Sequence, residues 1–244
     1  MMQLSREERL LHIPHVTNVR DLGGYETQDG YYTKAHKFIR SACPSKIDEA
    51  GKKQLYDYGI RTVVDLRSPF EVEQLPHPLK EYQDIEYYHI DLLQSQNFSL
   101  IADNIKEYQD LSGFYIFMIE ANKNQMKKIF EIFYEHPYDA IMFNCSAGKD
   151  RTGVVSALLL DLAGCHEYDI VKDYSESFEN NKPILDQLKG MIKEEDEKFL
   201  GSDPRIMMKF LAYLRETYGS AKEYLLQCGL DEEQIQEIKE NLTI

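Results

Sequence analysis

The sequence predicts an α/β fold: a mostly parallel central sheet flanked by helices, with additional helices at the C-terminal end. Three observations carry this. Residues 61–66, 85–90 and 140–143 are short runs of strand length and strand composition. Helical patterns lie between them, and strands that alternate with helices build a parallel sheet covered on both faces. After Gly164 the apolar spacing is helical to the end of the chain.

Each element has its own local signal. Residues 25–40 alternate around Asp29-Gly30, a turn pair that favours a hairpin. Ser45 can cap a helix that stops at Gly59. Residues 61–66 read as a strand. Ser68-Pro69-Phe70-Glu71 then starts a helix, with a capping hydroxyl, proline at the first position and Glu three residues after the cap. Residues 85–90 form the next strand. The apolar stretch 111–119 reads as a core helix, with a lid over a ligand site as the alternative. Met126, Ile129, Phe130 and Phe133 share one helical face. Residues 140–143 suit a buried strand and 154–160 a buried helix. Asp203-Pro204 and Asp231 mark two later helix starts, and Gly201, Gly219 and Gly229 mark breaks. There is no internal repeat, low-complexity tract or long linker, and residues 1–244 are expected to form a single domain.

Composition narrows the function classes. A net charge of −14 disfavours a broad nucleic-acid surface and firm docking on anionic membranes. The longest apolar stretch, after Gly153, is broken by Ser156 and Asp161, so no membrane-inserted segment is expected. Residues 1–11 are too charged for a signal peptide, and secretion would need a leader removed from this chain. Cys43, Cys145, Cys165 and Cys228 show neither metal spacing nor a disulfide framework, which suits a reducing cytoplasm. The histidines show no metal pattern, and His12 and His15 read as loop or surface residues.

The stretch with chemical content is Asn144-Cys145-Ser146-Ala147-Gly148-Lys149-Asp150-Arg151-Thr152-Gly153. A strand, a tight loop and a helix meet at one cysteine, Cys145. Amides of the loop residues Ser146, Ala147, Gly148 and Lys149 and of the first helical turn can face one centre, a nest for a phosphate-sized anion. The same positive end favours a thiolate, the form of cysteine that attacks. Arg151 presents a planar fork suited to two oxygens of a phosphoryl group. Gly148 lets the backbone approach the anion, and Thr152 can bond the sulfur or steady the loop. Lys149 adds a positive charge that suits a substrate charged beyond its reacting phosphate. Asp150 places a carboxyl beside the phosphate and is the first candidate for a general acid. Asp65 and Asp91, at the ends of earlier strands, are the second and third. Arg20, Arg40 and Arg67 either converge on the pocket or form ordinary ion pairs. A nucleotide P-loop is excluded, since Asp150 follows Lys149 and Phe143 stands where that motif needs glycine.

Cys-Ser-Ala-Gly-Lys-Asp-Arg-Thr-Gly resembles the phosphate loop of the cysteine-dependent tyrosine phosphatases, in particular their atypical bacterial branch. Asn18-Val19-Arg20-Asp21-Leu22-Gly23-Gly24-Tyr25 and Arg40-Ser41 are similar to that branch's N-terminal motif. Val64-Asp65-Leu66-Arg67-Ser68 is similar to its second strand, and Asp173-Tyr174-Ser175-Glu176-Ser177 to the segment after the loop helix. The segment ending at Ile235 is similar to its C-terminal helix. The resemblance implies a cysteine-phosphatase-like fold and hydrolysis of phosphate monoesters through a cysteinyl-phosphate intermediate, without a metal or other cofactor. It implies phosphotyrosine, phosphoserine or phosphothreonine proteins and phosphoinositides as substrates, and inorganic phosphate as product. One position departs: the family carries His before the nucleophile, and this chain has Asn144. An Asn amide can hydrogen-bond nearby backbone but cannot become a cation. The expectation is a working loop with weaker thiolate stabilisation, with a binding-only pseudophosphatase as the alternative.

Overall fold

The computed structural model describes residues 4–94, 110–188 and 200–244. Among them the elements run α1 (Arg6–Arg9), β1 (Arg20–Asp21), β2 (Phe38–Ala42), α2 (Glu49–Asp57), β3 (Ile60–Asp65), α3 (Pro69–Gln74), β4 (Glu86–His89) and α4 (Leu111–Ala121). Then come α5 (Lys123–Glu135), β5 (Ala140–Cys145), α6 (Arg151–Ala163), α7 (Glu167–Asn180), α8 (Lys182–Leu188), α9 (Pro204–Tyr218), α10 (Ala221–Cys228) and α11 (Glu232–Leu242). The five strands are ordered β1-β2-β5-β3-β4. All neighbours pair in parallel except β1, which runs antiparallel to β2. The α/β class with a mostly parallel sheet therefore holds.

Strand β5 lies in the middle of the sheet, which is why its sequence is apolar without a break: both faces are covered. Its side chains alternate between two cores. Ile141 and Phe143 join Phe38, Val64, Phe130, Phe133 and Leu158 in the larger one, which also takes in α4 residues such as Tyr115 and Met118. Met142 joins Ile39, Val63 and Leu55 in the smaller one, under α2. Every one of these residues is buried, so a truncation to alanine in either core would cost on the order of 2–5 kcal/mol. The two layers hold β5 rigidly, and the sheet registers Ala42 beside Cys145 and Asp65 beside Asn144. The carboxyl ends of β2, β3 and β5 are thus level, and the loops that leave them share one rim.

Local signals placed most helix starts. Ser68 and Glu71 form a reciprocal capping box with Pro69 at the first position, Asp203 caps α9 ahead of Pro204, and Asp231 caps α11. Two expectations are corrected. The cap of α2 is Asp48, not Ser45, because the Asp48 carboxylate accepts the Gly51 N–H at 2.7 Å. The expected hairpin over residues 25–40 shrinks to one bridge, Glu26 with Tyr32, since β2 leaves to pair with β5. Stretch 111–119 falls in α4, whose residues are mostly buried, so it is a core helix and not a lid. Among the described residues no helix is long and apolar enough to cross a membrane. Residues 1–3, part of the N-terminal segment weighed as a leader, lie outside the described set.

Candidate active site

Cys145 ends β5 and is buried at the base of the loop that leads into α6. Three successive loop carbonyls are held on the outside. The Ser146 carbonyl accepts the Cys43 N–H at 3.1 Å. The Ala147 carbonyl accepts Asn18 Nδ2 at 3.0 Å and Asn181 Nδ2 at 2.9 Å. The Gly148 carbonyl accepts Asn18 Nδ2 at 2.9 Å and Arg40 Nη2 at 2.8 Å. In a trans peptide the N–H points opposite the C=O, and no peptide here is cis. The amides of Ala147, Gly148 and Lys149 therefore face away from these clamps, toward a common inner side. Inward-facing amides are the arrangement that an anion nest requires.

Gly148 has no substitute in this loop. Its φ is +63°, and a Cβ there would lie 2.4 Å from the Ser41 backbone carbon and oxygen. Gly153 answers a milder demand: a Cβ would sit 3.3 Å from the Tyr174 ring, so the glycine lets α7 approach α6. Asn18, which supplies two of the clamps, is itself left-handed at φ 59°, a conformation asparagine tolerates.

Arg151, the first residue of α6, turns its fork onto Glu71 of α3, with Nη1 to Oε2 at 2.6 Å and Nη2 to Oε1 at 2.8 Å. Ser146 Oγ donates to the same carboxylate. Burial pushes the Glu71 carboxyl up, but the Arg151 guanidinium outweighs it and holds the group far below the usual carboxylate range. Arg151 is correspondingly raised above its ordinary value and stays protonated.

The three acid candidates separate. Asp150 stands at the start of α6 with its side chain 29% exposed, and accepts Tyr115 Oη at 2.6 Å; Lys149 Nζ lies 3.4 Å from the same oxygen. Asp65 is fully buried, gripped by Arg67 through Nε and Nη2 and by Tyr87 Oη at 2.9 Å. Burial would raise its carboxyl, but the Arg67 pairing leads it below its ordinary value, so its contacts are those of a structural anchor. Asp91 accepts the Leu93 N–H at 3.3 Å, a turn contact. For the arginines the ion-pair reading applies, with Arg40 also reaching the loop at the Gly148 carbonyl. Arg20 and Arg40 pair with the buried Asp173 and Arg67 with Asp65, so their charges are spent on structure.

Lys149 is buried and donates to the Gly201 carbonyl at 3.0 Å as well as facing Asp150. Thr152 Oγ1 is buried and has no hydrogen-bond partner among the described residues. Asn144 is fully braced: Oδ1 pairs with His77 Nε2 at 3.1 Å, and Nδ2 donates to Asp65 Oδ1 at 3.3 Å. His77 Nδ1 accepts the Leu79 N–H, so its proton is on Nε2 and points at Asn144. Burial holds the His77 imidazole down at about 4, which keeps it neutral. The remaining cysteines are inert by burial, which pushes the Cys43 and Cys165 thiols up to about 12 and Cys228 to about 11. Among the described residues no group of His, Cys, Asp and Glu is placed to hold a metal ion.

Sequence reasoning missed Glu71, Tyr115, His77 and Asn181. Glu71 was visible only as a helix cap and Tyr115 only as one residue of an apolar run. His77 and Asn181 sit in no pattern, and their roles arise from contacts 67 and 34 residues away in the chain.

A profile described as "Tyrosine phosphatase family" matches residues 11–244. The tyrosine-protein phosphatase of Nostoc commune is 29% identical over 219 residues, covering 85% of this chain and 74% of that protein. The triple specificity protein phosphatase PtpB of Mycobacterium tuberculosis is 24% identical over 263 residues, covering 90% of this chain and 94% of that protein. The crystal structure of P. aeruginosa TpbA aligns with a TM-score of 0.42 at 13% identity, over 82% of this chain and 91% of that one.

Proposed function

The chain belongs to the tyrosine phosphatase family and is a phosphatase hydrolase, and we propose that it hydrolyses phosphotyrosine through a cysteinyl-phosphate intermediate on Cys145. The observation that carries the proposal is the set of outward-held loop carbonyls, which leaves the Ala147, Gly148 and Lys149 amides facing the other way and supports an anion site in the loop after Cys145. A phosphoryl group in that nest would meet the amides as Arg151 and Ser146 close around its oxygens.

In the first step the Cys145 thiolate attacks phosphorus from the side opposite the leaving oxygen. The S–P bond forms as the P–O bond breaks, and the electron pair left on oxygen takes a proton from Asp150. The phenol departs. In the second step Asp150, now a carboxylate, takes a proton from water as the water oxygen attacks phosphorus. The S–P bond breaks, phosphate leaves and the Cys145 thiolate is restored. Asp150 is assigned because its carboxyl adjoins the loop and is partly exposed, whereas Asp65 is sealed against Arg67. The Thr152 hydroxyl, without a partner among the described residues, supports a donor to sulfur during the exchange.

Asn144 does not favour a binding-only loop. His77 and Asp65 fix its amide, so the strand end is ordered without the family's His. Specificity wider than phosphotyrosine draws support from the mycobacterial relative, a triple specificity protein phosphatase; phosphoserine, phosphothreonine and phosphoinositides are the further substrates we propose. Rapid-quench mass spectrometry with a phosphotyrosine peptide tests the reading. The intact protein should gain one phosphate on Cys145, and Cys145→Ser should bind the peptide without turnover. Turnover by Cys145→Ser at the normal rate would remove it.

A further inference from the structure

Tyr115 and Tyr174 have no place in the reaction as written, yet both hydroxyls are buried beside Asp150. We propose that Tyr115 is a positioning residue for Asp150, supported from behind by Tyr174, and that the pair decides which carboxyl oxygen carries the acid proton. The inference rests on reading Asp150 as the acid.

The first observation is where the Asp150 side chain fails to go. An aspartate at the N-cap of a helix ordinarily accepts an N–H of the first turn. Asp150 occupies that position on α6 and makes no such bond. Its Oδ1 instead accepts Tyr115 Oη at 2.6 Å. The helix start has given up a stabilising contact, and the carboxylate is held by a different element, α4.

The second observation is the hydrogen count. Tyr115 Oη lies 2.8 Å from Tyr174 Oη as well as 2.6 Å from Asp150. Each phenol has one hydrogen, and a carboxylate only accepts. Tyr115 therefore donates to Asp150, and Tyr174 donates to Tyr115. The chain has one direction: Tyr174 to Tyr115 to Asp150 Oδ1.

The consequence concerns the other oxygen. Oδ1 faces a phenol hydrogen and, at 3.4 Å, the Lys149 ammonium. A proton added there would oppose both. Tyr115 could receive it only by reversing its hydroxyl, and its oxygen already accepts from Tyr174. The acid proton is therefore directed to Oδ2, and rotation of the carboxyl is blocked between transfers. A proton fixed on an oxygen about 2.6–3.2 Å from the developing oxyanion is worth far more than one that must reorient.

Packing gives the phenols no comparable purpose. The two rings meet edge to face at 5.9 Å, and Tyr115 meets Phe210 at 6.3 Å. Phenylalanine would make the same contacts without two buried hydroxyls to satisfy.

The test is kcat/KM across phosphate monoesters of rising leaving-group pKa, from p-nitrophenyl to alkyl phosphate. A good leaving group needs no acid, and a poor one does. Asp150→Asn should steepen the dependence most, losing about a hundredfold more on the alkyl ester than on the p-nitrophenyl ester. Tyr115→Phe should steepen it too, with an excess loss of about tenfold on the alkyl ester. Tyr174→Phe, which leaves the Tyr115 hydroxyl in place, should steepen it by a smaller factor and serves if Tyr115→Phe folds poorly. A uniform loss across the series in both tyrosine variants, with Asp150→Asn still steep, would overturn the inference and leave Asp150 as the acid. A flat response in Asp150→Asn would remove Asp150 as the acid and this inference with it.

Discussion

Glu71 accepts both terminal nitrogens of Arg151, at 2.6 and 2.8 Å, and the same carboxylate accepts the Ser68 N–H at 2.8 Å and the Ser146 hydroxyl. One side chain thus joins the start of α3, the loop after Cys145 and the first residue of α6. A guanidinium has five hydrogens, and Glu71 engages two of the nitrogens along one edge. The pairing fixes the orientation of the fork, and under the proposed reading Glu71 is its brace.

Removing the brace should therefore hurt binding and turnover together. Glu71→Gln keeps the volume and loses the charge, so kcat/KM for an aryl phosphate should fall by about tenfold, the worth of a charge-assisted hydrogen bond in a half-dry site. Steady-state kinetics with phosphate as a competing ligand measures both. Tighter phosphate binding in the variant would mean that Glu71 competes with substrate for Arg151.

His77 predicts a pH effect on stability. Burial holds its imidazole at about 4 against 6.5 for an unperturbed histidine. The unfolded chain then takes up a proton at a higher pH than the folded one. The His77 contribution is fully present above pH 6.5 and is lost as pH falls toward 4, a change on the order of 2–3 kcal/mol. His77→Gln can still donate to Asn144 and has no proton to gain. Urea unfolding between pH 7 and 4 should show a shallower decline in this variant than in the parent chain. Equal slopes would mean that other groups set the acid response.

The loop around Cys145 was legible in the sequence because its information is local: an apolar strand, a glycine that no other residue can replace and an arginine at a helix start. The sheet was legible for the same reason, since β3 and β5 carry their burial in their own composition. Orientation was not. Asp65 stood at the right height in the sheet, but Arg67, two residues on, decides which way its carboxylate faces. Glu71 looked fully employed as a cap, and a capping carboxylate has lone pairs to spare for a partner 80 residues away. The α4 stretch was correctly core, yet periodicity is blind to a phenol oxygen at the end of a buried ring.

Asp173 predicts a second, lower pH window. Its burial would raise the carboxyl, but the guanidiniums of Arg20 and Arg40 bring it to about 2, against an ordinary 3.8. A depressed carboxylate contributes above the unfolded value and loses that contribution as pH falls from about 4 toward 2. Asp173→Asn would leave two buried guanidiniums without their charge partner, costing about 3–5 kcal/mol at pH 7. Because Arg40 also clamps the Gly148 carbonyl, phosphate affinity should fall in the same variant. The stability gap from the parent should narrow below pH 4. A gap constant from pH 7 to pH 2 would show that the charge of Asp173 does not supply the stabilisation.

Lys149 bears on substrate class. A loop lysine free to reach a second phosphate would favour polyphosphorylated inositol heads over a simple aryl phosphate. In the structure its ammonium is buried, donates to the Gly201 carbonyl at 3.0 Å and faces Asp150 at 3.4 Å. Those contacts direct its charge to the loop itself, where it steadies Asp150 and ties the segment at Gly201 to the site. Lys149→Ala should then lower kcat/KM by the same factor for p-nitrophenyl phosphate, a phosphotyrosine peptide and a soluble inositol polyphosphate head. An excess loss of about tenfold for the inositol head, the worth of one charge-assisted hydrogen bond, would instead assign Lys149 to substrate charge and place phosphoinositides ahead of phosphotyrosine.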